Sequence, residues 1–221
     1  NPRVAPPPFG GVTTLIDFAG DDLDIPDADV SDEHIMKQVE ARKNVLSNSY
    51  NDYSLHFNLV GEVSPTKIGE IGEAIQSGMP SFKVVTTFGV ARCPTGHLWA
   101  IFEQVKQHGG MMAVHAEQDD IVNYMTEKLV REGNDQGYNM HLVHNNISED
   151  ISFREIIRLA KHTEAAIYFV HTTAKEDVAA IAEARNESMP VYGEALHNYL
   201  EFTCEDYKKP GGTAIHTYPA L

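Results

Sequence analysis

A lysine and two histidines stand in three separate apolar runs: Lys83 within Ser81-Phe82-Lys83-Val84-Val85-Thr86, His115 closing Val114-His115, and His171 closing Val170-His171. Each run has the β-branched and apolar character of a strand. A lysine at a strand edge is ordinarily solvated, but burial lowers its pKa and exposes a neutral, nucleophilic amine. That amine could form a Schiff base with a carbonyl, or take up carbon dioxide to become a carbamate, an anion able to bridge two metal ions. The second chemistry needs imidazoles close by. A lone histidine at a strand end is more often structural than a ligand. Two in equivalent positions of a repeated unit, with a lysine in a third, point instead to a metal site. Imidazole suits zinc and similar divalent ions, and open positions on such ions generate a hydroxide nucleophile near neutral pH.

The remaining polar residues carry weaker signals. His141 and His144 are three apart between predicted helices, where strand geometry would not aim both the same way, and they read as surface loop. His34, His97, His108 and His162 fall on predicted helices or their ends, and His56 reads as a hydrogen-bonded core residue within a strand. Glu194, His197 and His216 follow the last strand pattern and could line its mouth. The run Glu117-Gln118-Asp119-Asp120 reads as a helix start, where carboxylates complement the dipole. Cys93 and Cys204 have no partner spacing for a metal or a disulfide and read as ordinary thiols.

These residues need a scaffold that repeats. Strand patterns at Val12 to Phe18, Tyr53 to Val60, Ser81 to Thr86, Met111 to His115, Ala165 to His171 and Met189 to Tyr192 alternate with helical patterns. The helices are expected at about Ser31 to Ser47, Pro65 to Gln76, Gly96 to His108, Asp119 to Glu132, Ser148 to His162 with Ser148 as N-cap, and Ala174 to Asn186. Strand and helix in alternation, with short apolar strands, specify an α/β fold with a parallel sheet under helices. No G-x-G-x-x-G follows any strand, which weakens a dinucleotide-binding sheet. Polar residues at successive strand ends favour a (β/α)8 TIM barrel, whose active sites gather at that face.

Bulk properties set the outer bounds. The chain has 221 residues, enough for one full core and somewhat short of the roughly 250 typical of a closed eight-fold barrel. With 42% hydrophobic and 22% charged residues it has the composition of a globular protein, and no apolar stretch is long enough to span a bilayer. A formal charge of −15 opposes attraction to nucleic acid or anionic membranes. The four prolines of Asn1 to Pro8 mark residues 1–9 as an extended arm, leaving residues 10–221 as the barrel domain. Two separated cysteines and no secretion signal suggest a reducing cytoplasm.

Gly10-Gly11-Val12-Thr13-Thr14, Asp52-Tyr53-Ser54-Leu55-His56, Ser81-Phe82-Lys83, Val114-His115-Ala116-Glu117 and Phe169-Val170-His171 together resemble the cyclic amidohydrolases. These are the dihydropyrimidinases, hydantoinases and allantoinases of the metal-dependent amidohydrolase superfamily. Gly193-Glu194-Ala195-Leu196-His197-Asn198-Tyr199-Leu200 resembles the family's stretch after its seventh strand, and Tyr218-Pro219-Ala220-Leu221 its continuation. The resemblance implies that Lys83 is a catalytic, carbamylated lysine bridging two divalent metal ions, with zinc the expected metal. His115 and His171 would be ligands of one ion. A metal-activated hydroxide would open a dihydropyrimidine or hydantoin ring to an N-carbamoyl acid. Phe88 and His197 are the implied substrate-binding residues.

The sequence also departs from the family. The His-x-His pair expected on the first strand lies upstream of Gly10, where Asn1 to Phe9 contain no histidine, and the catalytic aspartate expected on the eighth strand would lie beyond Leu221. An incomplete barrel of about strands two to seven is therefore expected, without the family's small β-sandwich. This segment is expected to be inactive alone, with open sheet edges that a partner chain would cover, as in a homo-oligomer, or that would cause aggregation. Many hydantoinases and dihydropyrimidinases carry a tyrosine five residues after the bridging lysine. Phe88 stands there and cannot donate a hydrogen bond. The alternatives are a non-catalytic dihydropyrimidinase-related structural protein, which would bind no stoichiometric zinc, and a Schiff-base lyase acting through Lys83.

Overall fold

The structure, a computed structural model, describes residues 11–20 and 33–221. The expected arm at residues 1–9, the aspartate-rich loop and the start of the first helix at Ser31 lie outside the described residues. Six strands form one parallel sheet in chain order: β1 (Thr14–Gly20), β2 (Asp52–Asn58), β3 (Ser81–Val85), β4 (Met111–His115), β5 (Ala166–Phe169) and β6 (Val191–Gly193). The helices are α1 (Ile35–Leu46), α2 (Pro65–Gly69), α3 (Ile71–Gln76), α4 (Thr95–His108), α5 (Asp119–Arg131), α6 (Met140–Val143), α7 (Asn146–Thr163), α8 (Lys175–Asn186) and α9 (Asn198–Glu201). An unbroken sequential strand order with intervening helices is the wall of a β/α barrel.

The register explains which side chains go inward. Phe57, Phe82, Met112, Ile167 and Val191 lie side by side across β2 to β6, and all are fully buried. They join Ile101, Phe102, Val105, Phe153 and Ile156 of the helices in one apolar core. Phe153 of α7 stacks on Phe169 of β5 with ring centroids 3.9 Å apart. Because side chains alternate along a strand, the next position in each strand faces the opposite way. That row is Asn58, Lys83, Ala113, Tyr168 and Tyr192, the concave face of the sheet. The cation in β3 is thus aimed away from the helix layer by the same alternation that buries Phe82 and Val84.

Local chemistry moved several element boundaries from their expected places. Asn145, not Ser148, caps α7: its side chain accepts from the backbone N–H groups of Ile147 and Ser148, which starts the helix earlier than its apolar periodicity does. The expected helix from Pro65 to Gln76 is two short ones, α2 and α3, the first opened by Ser64 with Pro65 at its first turn. β1 is displaced toward Gly20 relative to the expected Val12 to Phe18, and β5 stops at Phe169, so His171 lies beyond the strand end. Among the described residues no helix is long and apolar enough to cross a membrane.

Candidate active site

Lys83 and Val85 point into the concave face, and His115 pairs with Val85 at the carboxyl end of β4. Lys83 is buried, and its Nζ donates to the carbonyl of Val84 at 3.1 Å. Burial lowers its pKa from the usual lysine value to about 7: water that would solvate an ammonium is excluded. His171 follows β5 by two residues at φ 42°, a left-handed conformation uncommon for a residue with a side chain. That turn brings its Nε2 within 3.0 Å of His115 Nδ1, with ring centroids 4.7 Å apart. Burial lowers the pKa of both imidazoles, that of His171 to about 3, and the Lys83 charge lowers both further. His171 Nδ1 is buried without a hydrogen-bond partner. The two imidazoles are therefore in contact, with Lys83 near enough for its charge to act on both.

Two members of the cluster contradict the sequence reading. His144 is buried rather than on a surface loop, and Glu117, read as part of a helix start, is fully buried ahead of α5. Glu117 accepts from His115 Nε2 and from His144 Nδ1, each at 2.7 Å. Burial opposes its charge, but the two hydrogen bonds hold its carboxyl at about 2. The helix-start role belongs to its neighbours: Gln118 caps α5 through its side chain, and Asp119 lies in the first turn. A signal for Glu117 was present in the sequence, since it follows His115 by two residues in an extended run and so shares its face. His144 had none, because its approach depends on α6 and the turn after it. His141 stays partly exposed within α6, its Nδ1 paired with the Tyr138 carbonyl.

Phe88 sits over this group at φ 74°, its ring centroid 4.8 Å from that of His115 and 6.1 Å from that of Tyr218. The left-handed turn is pinned by Asp119, whose Oδ1 accepts from the Thr87 hydroxyl at 3.0 Å and from the Gly89 N–H at 3.2 Å. His197 caps α9 and is exposed, and no hydrogen bond ties it to the Lys83 cluster. Glu194 accepts from the Tyr168 hydroxyl at 2.8 Å, and His216 packs against Tyr207. His56 is half-buried on the concave side with Nδ1 2.7 Å from Ser81 Oγ. Cys93 and Cys204 are free thiols, and burial raises that of Cys93 to about 12, so it is unreactive. The groups able to ligate a metal here are two imidazoles and an amine. Among the described residues no three His, Cys, Asp or Glu side chains form such a cluster.

A pair of carboxyl groups, Glu149 and Asp177, lies beside the loop that carries His171. Glu149, in the first turn of α7, accepts from the Thr173 hydroxyl and, at 3.3 Å, from the Thr173 N–H. Asp177, in the first turn of α8, is fully buried, and neither of its oxygens has a fixed donor. Burial raises both pKa values, and the Glu149–Asp177 repulsion adds to it for Asp177, as do Asp150 and Glu176. The folded chain thus retains a proton that the unfolded chain releases. The pair's stabilising contribution is complete below the ordinary carboxylate range and is lost as pH rises through neutrality. Asp177→Asn is expected to flatten this decline and to raise stability at alkaline pH by on the order of 1–3 kcal/mol. Thermal melts across pH check this, and parallel pH profiles for the two chains would count against it.

No family model matches the chain. Over 205 residues it is 28% identical to the D-hydantoinase of Geobacillus stearothermophilus, covering 91% of this chain and 42% of that one. It is 27% identical to the dihydropyrimidinase of Rattus norvegicus over 85% of this chain and 35% of that protein. Its identity to the allantoinase of Deinococcus radiodurans is 24%, over 76% of this chain and 38% of that one. A solved D-hydantoinase structure superposes with a TM-score of 0.85 at 25% identity, covering 96% of this chain and 45% of that one. The chain spans less than half the length of each of these relatives. In its sequential parallel sheet and in these likenesses, the chain is similar to part of the barrel of the hydantoinases, dihydropyrimidinases and allantoinases, the cyclic amidohydrolases.

Proposed function

We propose that this chain carries part of the catalytic site of a metal-dependent hydrolase that opens a cyclic amide ring of the hydantoin or dihydropyrimidine type. The observation that carries the reading is the convergence of a buried, easily neutralised lysine with two imidazole nitrogens 3.0 Å apart at the carboxyl-terminal mouth of parallel strands. The donor set suits a divalent ion. With His115 Nε2 engaged by Glu117, its Nδ1 is the atom left to ligate, and it faces His171 Nε2. His115 and His171 would hold one ion, and Lys83, as a carbamate formed from its neutral amine and carbon dioxide with release of a proton, would bridge to a second. Bound divalent ions would polarise the ring carbonyl and activate water, and the C–N bond would break to leave an open-chain N-carbamoyl acid.

The remaining residues shape that chemistry. Phe88 forms an apolar lid on His115 and, lacking a hydroxyl, gives no hydrogen bond to the substrate or its developing oxyanion. Ring binding there would rest on stacking and on the ions. The 221 residues contain no His-x-His pair, so one ion lacks its histidine ligands and the chain by itself is expected to bind zinc without opening rings. Purified chain loaded with zinc and mixed with hydantoin or dihydrouracil tests both parts. Bound zinc without N-carbamoyl product supports the reading, and ring opening at rates tracking bound zinc would overturn the expected inactivity. A chain that binds no zinc would favour the non-catalytic structural alternative.

A further inference from the structure

We propose that Glu117, locked by His144, is a positioning residue that holds His115 as the tautomer with a bare Nδ1 directed at His171. This rests on the reading of His115 and His171 as ligands. Both carboxylate oxygens of Glu117 are committed, Oε2 to His115 Nε2 and Oε1 to His144 Nδ1, each at 2.7 Å. An ionised carboxylate only accepts, so both ring nitrogens must be donors. A neutral His115 with its proton on Nε2 has its lone pair on Nδ1, the atom 3.0 Å from His171.

Nor can the carboxylate easily turn away. Its backbone N–H donates to Thr86 Oγ1 at 3.0 Å, and its carbonyl accepts from the Thr86 hydroxyl at 2.8 Å, tying it to the end of β3. His144, behind it, is held between Glu117 and the ring of Tyr218, 4.7 Å away. Glu117 is fully buried, which strengthens both hydrogen bonds and excludes water as a substitute acceptor. An amide of the same shape cannot reproduce this arrangement. The side chain introduced by Glu117→Gln would present one acceptor and one donor to two imidazoles, and one of them would have to change tautomer.

The test is nitrogen NMR of the metal-free chain with labelled histidine, alongside cobalt titration followed by its visible spectrum. In the parent chain His115 should show a protonated Nε2 and a bare Nδ1. Glu117→Gln should mix or reverse the two His115 tautomers and weaken cobalt binding by about 10–100-fold. His144→Phe, which leaves Glu117 in place with one oxygen unpaired, should weaken cobalt binding by less. His144→Gln, which keeps a donor, should recover most of the loss. Parent tautomers retained by both His115 and His144 in Glu117→Gln would overturn the proposal. A tautomer that shifts as expected in a chain that binds no cobalt would uphold the positioning role and overturn the metal reading on which it rests.

Discussion

Replacing Lys83 with methionine should give a chain that is more stable than the parent below neutral pH and that lacks the amine proposed to take up carbon dioxide. Lys83 is buried, and among the described residues only the Val84 carbonyl accepts from it, so its ammonium form has lost water and gained little. With a folded pKa of about 7 against 10.5 unfolded, the unfolded chain binds the proton more tightly between those values. Stability therefore rises with pH across that window, and the penalty is complete below it. Methionine fills similar volume without charge and removes the penalty, a gain of a few kcal/mol at pH 5 that shrinks toward alkaline pH. Denaturant titrations of both chains at acid and alkaline pH measure it. A lysine that is in fact solvated would give equal stability at every pH. So costly a residue at this position is what a functional role predicts, since a structural role would be better filled by methionine.

The second large effect is on metal affinity. His171→Asn should lower zinc affinity by more than about 100-fold, beyond the roughly 10–100-fold typical of losing an outer-shell partner. Asparagine is chosen because it tolerates the left-handed backbone at this position, so the substitution removes the imidazole with little added strain. His141→Asn is the control: that ring is partly exposed and paired with a backbone carbonyl away from the cluster, and its loss should leave affinity unchanged. Equal zinc affinity in all three chains would remove His171 from the site.

The parts of this architecture that follow local rules were legible in the sequence, and those set by tertiary packing were not. Alternation within Ser81 to Val85 placed Phe82 and Lys83 on opposite faces, because a strand's period of two leaves no other choice. Repetition of the strand-helix unit then brought His115 to the same mouth. The strand pattern carries β5 through His171, whereas His171 leaves the strand in a left-handed turn, next to Thr173, which Glu149 holds across 24 residues of chain. Glu117 was read as a dipole partner because acidic residues before a helix usually are. The deciding fact is a burial that only His115 and His144 compensate. His144 was unreadable for the same reason: a histidine beside a short helix carries no local mark of the carboxylate it will meet.

Carbon NMR of the chain in labelled bicarbonate, with and without zinc, tests whether Lys83 becomes a carbamate beside His115 and His171. A single carbamate resonance should strengthen on adding zinc, be absent from Lys83→Met and weaken in His171→Asn. Zinc bound with Lys83 remaining a free amine under all these conditions would contradict the carbamate role.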